Sequence, residues 1–298
     1  MKKLLIIFCA VCCLSSVAFA DEVDRGLSNM ATEQIKVSAR QMINTGVNSD
    51  DVIKMTRHMI HNQFSQQTTL RAHEIIMRAH KEKLPVGPIM NKAYEGIAKG
   101  VQSENIVKAM EAVRSRFAFS YQRAEELTQE DTRVRRMGKT MAESLSAGLK
   151  EKDMDAIMDR LRERTRDMKQ DQTCELAEET FKTAREMARL GVSSEATSGV
   201  IGQALRNRYN VKEMEQIRNM FNTRSRYSNV ESLAKSLSAQ ISRGESPGNV
   251  GSSGKGSGPG TGSAGGTGGE GGSDSGGKSG GGSGSGNGSG SGGGGSSK

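Results

Sequence analysis

The chain has 298 residues and a formal net charge of +8 at pH 7, from 42 lysines and arginines against 34 aspartates and glutamates. Tryptophan is absent, only four prolines occur, and no run of about 18 apolar residues follows the N-terminal segment. This composition argues against transmembrane helices, collagen, disulfide-stapled mini-domains and Pro-rich β-sandwiches.

The first twenty residues have the features of a signal peptide. Two lysines follow Met1, the apolar run 4–14 is too short to span a bilayer, and Ala18-Phe19-Ala20 forms an A-x-A cleavage site. We therefore expect residues 1–20 to be removed and the chain to be exported, as a periplasmic or secreted protein with no transmembrane helix. No lipid anchor is expected, because a small residue does not directly precede Cys9, Cys12 or Cys13.

One thiol, Cys174, remains after removal of the signal. A single cysteine cannot form a disulfide within its own chain. Two interpretations stay open: a small buried side chain, as free cysteines in helices usually are, or a disulfide between two chains.

Residues 21–243 have the periodicity of helices. Apolar residues recur at three-to-four spacing, as at Val52, Met55 and Met59, and no stretch alternates with period two. Asn210 and Glu213 have the spacing of a capping box. The sequence therefore predicts an all-α domain of roughly nine or ten helices.

Glycines mark where several of these helices end. Four helix-like segments finish in glycine followed by an aliphatic residue: Gly46-Val47, Gly100-Val101, Gly148-Leu149 and Gly191-Val192. Glycine just past a helix end adopts the left-handed conformation without a Cβ clash. The spacing of these stops predicts helical hairpins stacked in series.

The helical region contains a long internal repeat. Residues 107–117 match residues 211–221 at six of eleven positions, and further matches place the repeat units at about 39–121 and 141–221. Such a repeat is typical of a tandem duplication, here of a four-helix unit, in which each unit gains stability by stacking on its neighbour. The charged segment 122–140 is expected to bridge the units as a helix.

Residues 244–298 form a tail in which 27 residues are glycine and 14 are serine. The tail cannot bury a hydrophobic core, so we expect it to be disordered. It would serve either as a spacer in the cell envelope or as an extension without a partner.

All four histidines lie close together in the sequence, at His58, His61, His73 and His80. His58 and His61 share a helix face, and neighbouring helices could bring the others near, which would suit zinc, copper or nickel. The other interpretation is ordinary surface and core histidines. It is favoured because the second unit has Arg160, Glu163, Glu178 and Arg185 at the matching positions. We expect no cofactor.

No catalytic motif is present. The sequence lacks G-x-S-x-G, H-E-x-x-H and a phosphate loop between a strand and a helix, so we expect no enzyme. The basic excess does not indicate a nucleic-acid partner, because stacking aromatics and known motifs are missing. In the cluster Arg160–Lys169, acidic residues interleave with the basic ones, as on a solvated helix face. Weak binding to anionic envelope polymers remains open.

The segment Leu84-Pro-Val-Gly-Pro-Ile-Met-Asn-Lys-Ala-Tyr-Glu-Gly-Ile-Ala-Lys-Gly-Val101 extends into the repeated helix at 107–117. This region, residues 84–117, resembles exported bacterial all-helical repeat proteins of unassigned function. The resemblance implies export and helical repeats, and it implies no activity, ligand or site residue.

These observations predict a non-enzymatic interaction or scaffold module of the cell envelope that binds one or more protein partners. The candidate contact residues are Arg114 and Arg218, which occupy equivalent positions in the two repeated helices. The alternative function is metal binding or buffering by His58, His61, His73 and His80.

Overall fold

The computed structural model describes residues 22–225 and 229–245. Every regular element in these residues is a helix, which confirms the all-α fold class. The signal peptide predicted at 1–20, with its three cysteines, and residues 246–298 of the predicted tail lie outside the described residues.

Twelve helical segments are present in the described residues, rather than the nine or ten expected. They are α1 (22–30, which ends in the 3-10 turn Ser28–Met30), α2 (Glu33–Asn44), α3 (Ser49–His61), α4 (Gln66–Lys81), α5 (Val86–Ala98), α6 (Ser103–Glu125), α7 (Asp131–Ser146), α8 (Glu151–Thr165), α9 (Gln170–Arg189), α10 (Ser194–Arg206), α11 (Val211–Arg224) and α12 (Val230–Ser242).

Side-chain caps define the starts of several helices. The capping box at α11 is confirmed, because Asn210 Oδ1 accepts from Glu213 N at 3.1 Å and Glu213 Oε2 accepts from Asn210 N at 2.9 Å. Ser65 and Ser193 also accept a bond from the backbone N–H three residues later, at 3.1 and 3.2 Å. Each cap satisfies an N–H group that the first turn of the helix leaves unpaired.

The predicted glycine stops are also confirmed. Gly46, Gly100, Gly148 and Gly191 have φ of +103°, +65°, +119° and +87°. After each glycine the next N–H folds back onto the helix, as Val47 N does onto Met42 O at 3.2 Å. In this turn, which is known as the Schellman motif, the backbone N–H groups bond to carbonyls that the end of the helix leaves unpaired.

Three further helices end in the same turn without glycine. Gln63, Lys83 and Arg208 have φ of +58°, +56° and +59°, and each is followed by a buried apolar residue. The left-handed residues at these ends are not recognisable in the sequence, because any residue other than glycine is disfavoured in that region, although the prolines at 85 and 88 do predict a turn after Lys83.

Most helices pack against the helix two positions along the chain. One layer contains the pairs α2–α4, α4–α6, α6–α7, α7–α9 and α9–α11, and the other contains α3–α5, α8–α10 and α10–α12. The described residues therefore form a two-layered helical array, in which α5–α6 and α6–α7 are the consecutive helices that pack most closely. α1 covers the first end of the array, where Val23 and Leu27 are fully buried.

The repeat corresponds to five helices rather than four. The order α2–α6 recurs as α7–α11, and the predicted units 39–121 and 141–221 each begin inside the first helix of a half. The repeated segments of α6 and α11 bury matching residues: Met110 and Met214, Val113 and Ile217, Phe117 and Phe221. We call α2–α6 the first half and α7–α11 the second half.

The junction between the halves differs from the prediction. Segment 122–140 is not one bridging helix, because α6 ends at Glu125 and α7 begins at Asp131. α6 and α7 pack closely along their lengths, with the ring of Tyr121 lying against Gly138, where a Cβ atom would collide with it. Neither α5–α7 nor α6–α8 is among the closely packed pairs of the described residues.

The left-handed helix ends allow a direct test of the fold. Gln63 is exposed at such a position, so we expect Gln63→Gly to raise the free energy of unfolding by about 0.5–1 kcal/mol. The matched change Gln41→Gly, at an exposed right-handed position in α2, should lower it by about 0.7 kcal/mol. Urea denaturation of both variants measures the effect, and a loss of stability in Gln63→Gly would contradict the assignment.

Candidate functional sites

His73 is the most enclosed of the four candidate metal ligands. It lies on α4 with no exposed surface, between Ser38 of α2 and Thr56 of α3. Its Nε2 atom is 2.9 Å from Thr56 Oγ1, and its Nδ1 atom is 3.1 Å from Ser38 Oγ. Both ring nitrogens therefore have a hydroxyl partner, and His73 connects three helices of the first half.

The hydrogen-bond partners determine the protonation of His73. Thr56 Oγ1 donates its hydrogen to Val52 O at 2.8 Å, so it accepts from His73 Nε2–H. Nδ1 then carries a lone pair and accepts from the Ser38 hydroxyl. Desolvation in this site disfavours the charged ring and lowers the pKa of His73 to about 4.

The other three histidines have different surroundings. His58 is exposed and packs edge-on against the ring of Tyr94 at 5.4 Å, and His61 is exposed at the end of α3. His80 is half-buried beside Gly46. The described residues contain no group of three or more histidine, cysteine or carboxylate side chains placed to hold a metal ion. The proposed four-histidine cluster is thus not assembled, because its members are used in separate contacts.

Cys174 is buried on α9, with 1% of its surface exposed. Its Sγ atom lies 3.6 Å from Gln170 Nε2 on the same helix. The location fits the interpretation as a small buried side chain. A disulfide to a second chain would require this part of α9 to open.

The two candidate contact arginines occupy equivalent places, as the repeat predicts, but both are bound within the chain. Arg114 of α6 lies 2.5 Å from Glu82 after α4 and 3.0 Å from Glu111. Arg218 of α11 donates from Nε to Glu179 of α9 at 2.6 Å. Each arginine therefore holds together two helices of one layer. Charge reversal at Arg114 and Arg218 would disturb packing, so it does not by itself test partner binding.

A groove of about 590 Å³ lies where α5, α6 and α7 meet, and sequence reasoning did not identify it. Its α6 side is apolar, with Ala109, Ala112, Val113 and Phe117. Val113 and Phe117 are also part of the core, with 8% and 7% exposed surface, so the floor of the groove is anchored. The groove draws on both halves of the repeat, because α7 begins the second half.

The charges around this groove are not balanced. Glu95 is held by Lys92 at 2.9 Å and Lys99 at 2.5 Å, and Glu143 on α7 is paired with two arginines of α9. Arg116 of α6 and Lys139 of α7 also line the groove, and neither pairs with a carboxylate in the described part of the chain. The groove therefore combines an apolar floor with two uncompensated positive charges. We call it the junction groove.

No family model matches the chain, and neither a curated protein nor a solved structure is significantly similar to it. The resemblance of residues 84–117 to exported helical repeat proteins therefore stays an expectation from the sequence. Within the described residues, no helix has the length and apolar character needed to cross a membrane.

The buried histidine predicts a specific pH dependence of stability. The unfolded chain binds a proton at the usual histidine pKa of about 6.5, whereas folded His73 does so only near pH 4. The contribution of His73 to the free energy of unfolding is therefore complete above pH 6.5. This contribution is lost as the pH falls to 4, by about 1.4 kcal/mol per pH unit and about 3 kcal/mol in all. In His73→Gln this part of the slope should disappear.

Denaturant unfolding from pH 7 to pH 4 measures this slope. His58→Gln and His61→Gln serve as controls, because both side chains are exposed, and they should keep the wild-type slope. An unchanged slope in His73→Gln would show that folding does not lower the pKa of His73.

Breaking the buried ion pair of Arg218 should cost more stability than breaking an exposed ion pair. Arg218→Gln leaves Glu179, whose side chain is 8% exposed, without its main partner, and we expect a loss of about 2 kcal/mol. The double variant Arg218→Gln/Glu179→Gln should recover part of that loss, since no buried charge is then left unpaired.

The control is Arg135→Gln, which breaks an exposed pair with Asp131 at 3.9 Å and should cost less than about 0.5 kcal/mol. Thermal or urea unfolding of the wild type, the single variants Arg218→Gln and Glu179→Gln and the double variant gives the coupling energy, and Arg135→Gln is measured beside them. Equal costs for Arg218→Gln and Arg135→Gln would argue against a clamping role for Arg218.

Proposed function

We propose that this chain is an exported, non-enzymatic interaction module of the cell envelope that docks an acidic segment of a protein partner in the junction groove. One observation carries the proposal: Arg116 and Lys139 are uncompensated cations beside an apolar floor. An exposed groove of this kind is completed by apolar side chains and carboxylates from another molecule.

The position of the groove supports this assignment. Small side chains on both walls, such as Ala112 of α6 and Ala142 and Ser146 of α7, leave room for a peptide segment. Arg116 and Lys139 project from opposite walls, so a carboxylate-bearing segment would contact both helices at once. Opposite charge would also speed the encounter and disfavour basic partners.

Export is part of the proposal because of the predicted signal peptide. The A-x-A site at Ala18-Phe19-Ala20 would release the helical array into the envelope. The metal-buffering alternative has less support, because His73 is buried between two hydroxyl groups while His58 and His61 are exposed.

A crosslinked pull-down from native envelope extract tests the module. The bait is the full chain without residues 1–20, as wild type and as Arg116→Glu/Lys139→Glu. The matched control is Arg71→Glu/Lys108→Glu, which also reverses two cations without carboxylate partners in the described residues, but on α4 and the outer part of α6.

We expect a protein that wild type and the control capture, and that the groove variant loses by about tenfold or more, since two charge contacts are removed. Equal capture by the groove variant would contradict the docking site. Absence of any protein enriched by the wild type would contradict the interaction module itself.

A photo-crosslinking amino acid at Ala112, an exposed groove position, identifies the occupant. Mass spectrometry of the crosslinked peptide should show a segment with several aspartates or glutamates. A basic segment would be inconsistent with charge complementarity. A metal analysis of the same preparation, purified without chelator or affinity tag, should show no stoichiometric metal.

A further inference from the structure

A second charged site lies within the second half of the array, between α8 and the end of α10. This pocket has a volume of about 390 Å³ and is lined by four arginines, Arg160, Arg164, Arg206 and Arg208, with Glu163 and Asp167. Its helices belong to the second half, whereas the junction groove lies on α5, α6 and α7. The two sites can therefore be tested separately.

The sequence predicts that the interleaved acidic and basic residues of α8 form a solvated helix face, and only some of them pair in this way. Arg160 pairs with Glu163 at 2.9 Å, and Arg162 pairs with Asp159 at 2.7 Å, as expected on a solvated helix face. These ion pairs neutralise much of the positive charge of α8. Arg164 differs from Arg160 and Arg162, because it forms no ion pair with a carboxylate of the described residues.

Arg164 is held in place by weak acceptors. Its Nη1 atom donates to Met168 Sδ at 3.1 Å, and its Nη2 atom reaches Arg208 O only at 3.4 Å. Its Nε–H is buried and has no hydrogen-bond partner in the described residues. A guanidinium group has five N–H donors, and a thioether sulfur is a poor acceptor for a charged one. Arg164 therefore retains unsatisfied donors beside the pocket.

The other two arginines add to this positive charge. Arg206 and Arg208 form no ion pair with any carboxylate that the structure describes. Arg206 is the last residue of α10 and Arg208 lies in the turn that follows, so both residues lie near the helix end. Within the pocket, three arginines without a carboxylate partner face one carboxylate without a cation partner, Asp167.

Arg208 occupies a position whose backbone conformation favours glycine. It adopts φ of +59° in the turn after α10, and the equivalent turn after α5 uses Gly100 with φ of +65°. Both helices have 13 residues, so Arg206 and Arg208 correspond to Ala98 and Gly100. The second half thus has two arginines where the first half has none, one of them in a conformation that costs about 1 kcal/mol.

We propose that this pocket binds a phosphate group carrying two negative charges. The arginine forks match the geometry of phosphate oxygens, and a bound phosphate would accept from Arg164, Arg206 and Arg208 while balancing their charge. The phosphate belongs either to inorganic phosphate or to the headgroup of a phosphomonoester lipid. The proposal concerns a different surface from the junction groove and does not depend on it.

Isothermal titration calorimetry with inorganic phosphate, on the full chain without residues 1–20 and at constant ionic strength, tests the site. We expect saturable binding that Arg164→Gln and Arg206→Gln each weaken by about tenfold, since each removes a charged hydrogen-bond donor. Arg71→Gln, which removes an exposed arginine of α4 that also lacks a carboxylate partner among the described residues, should change the affinity by less than about twofold.

Two outcomes would overturn the proposal: no saturable heat with phosphate, or the same loss in Arg71→Gln as in the pocket variants. Circular dichroism of each variant checks that the helices remain folded. Arg164→Lys adds a second test, because it keeps the charge but loses the fork, and we expect it to remain weaker than the wild type.

Vesicles distinguish the two sources of phosphate. Co-sedimentation with phosphatidic acid, a phosphomonoester, that exceeds that with phosphatidylglycerol and requires Arg164 would assign the headgroup. Binding of inorganic phosphate without preference between the vesicles would assign the free ion. Arg116→Glu/Lys139→Glu should keep phosphate binding, so failure of this site and failure of the junction groove can be told apart.

Discussion

Eight helices of the described chain end in one type of turn, in which a left-handed residue is followed by an N–H that bonds back to the last helical turn. The turn changes the direction of the chain within a few residues, so that the next helix begins close to the end of the one before. At six of these ends the following residue is buried and apolar, as with Phe64, Leu84 and Tyr209. The two-layered array results from repeating this turn, since most helices then pack against the helix two positions along the chain.

This constraint also explains how much of the fold the sequence predicts. Gly46, Gly100, Gly148 and Gly191 are recognisable because glycine is the usual residue in a left-handed position. Gln63 and Lys83 are not, because their backbone strain of about 1 kcal/mol is offset by burial of the next side chain, which is a tertiary effect. For the same reason the sequence predicts four helices in the repeat unit, whereas each half of the structure has five. The division of segment 122–140 at Glu125 depends on the packing of α6 against α7, which no local pattern specifies.

The candidate sites were less predictable than the fold, because their chemistry depends on partners distant in sequence. Spacing alone placed Arg114 and Arg218 at equivalent points, but it could not show that Glu82 and Glu179 already bind them. In the same way, the histidine spacing suggested a cluster, whereas the partners of His73 come from α2 and α3. Ion pairs join residues that are distant in the sequence. The cations without a carboxylate partner can therefore be recognised only after the ion pairs of the folded chain have been assigned.

The two halves have similar cores and different surfaces, and both proposed binding sites lie where the surfaces of the halves differ or meet. Phe117 and Phe221 fill matching core positions, so the shared path of the chain is retained. Arg206 and Arg208, in contrast, replace Ala98 and Gly100 of the first half, which packing does not require. The junction groove has a different origin, since it needs α5 and α6 of one half and α7 of the next. A single unit could not form that groove, and the duplication therefore supplies a surface that neither half has alone.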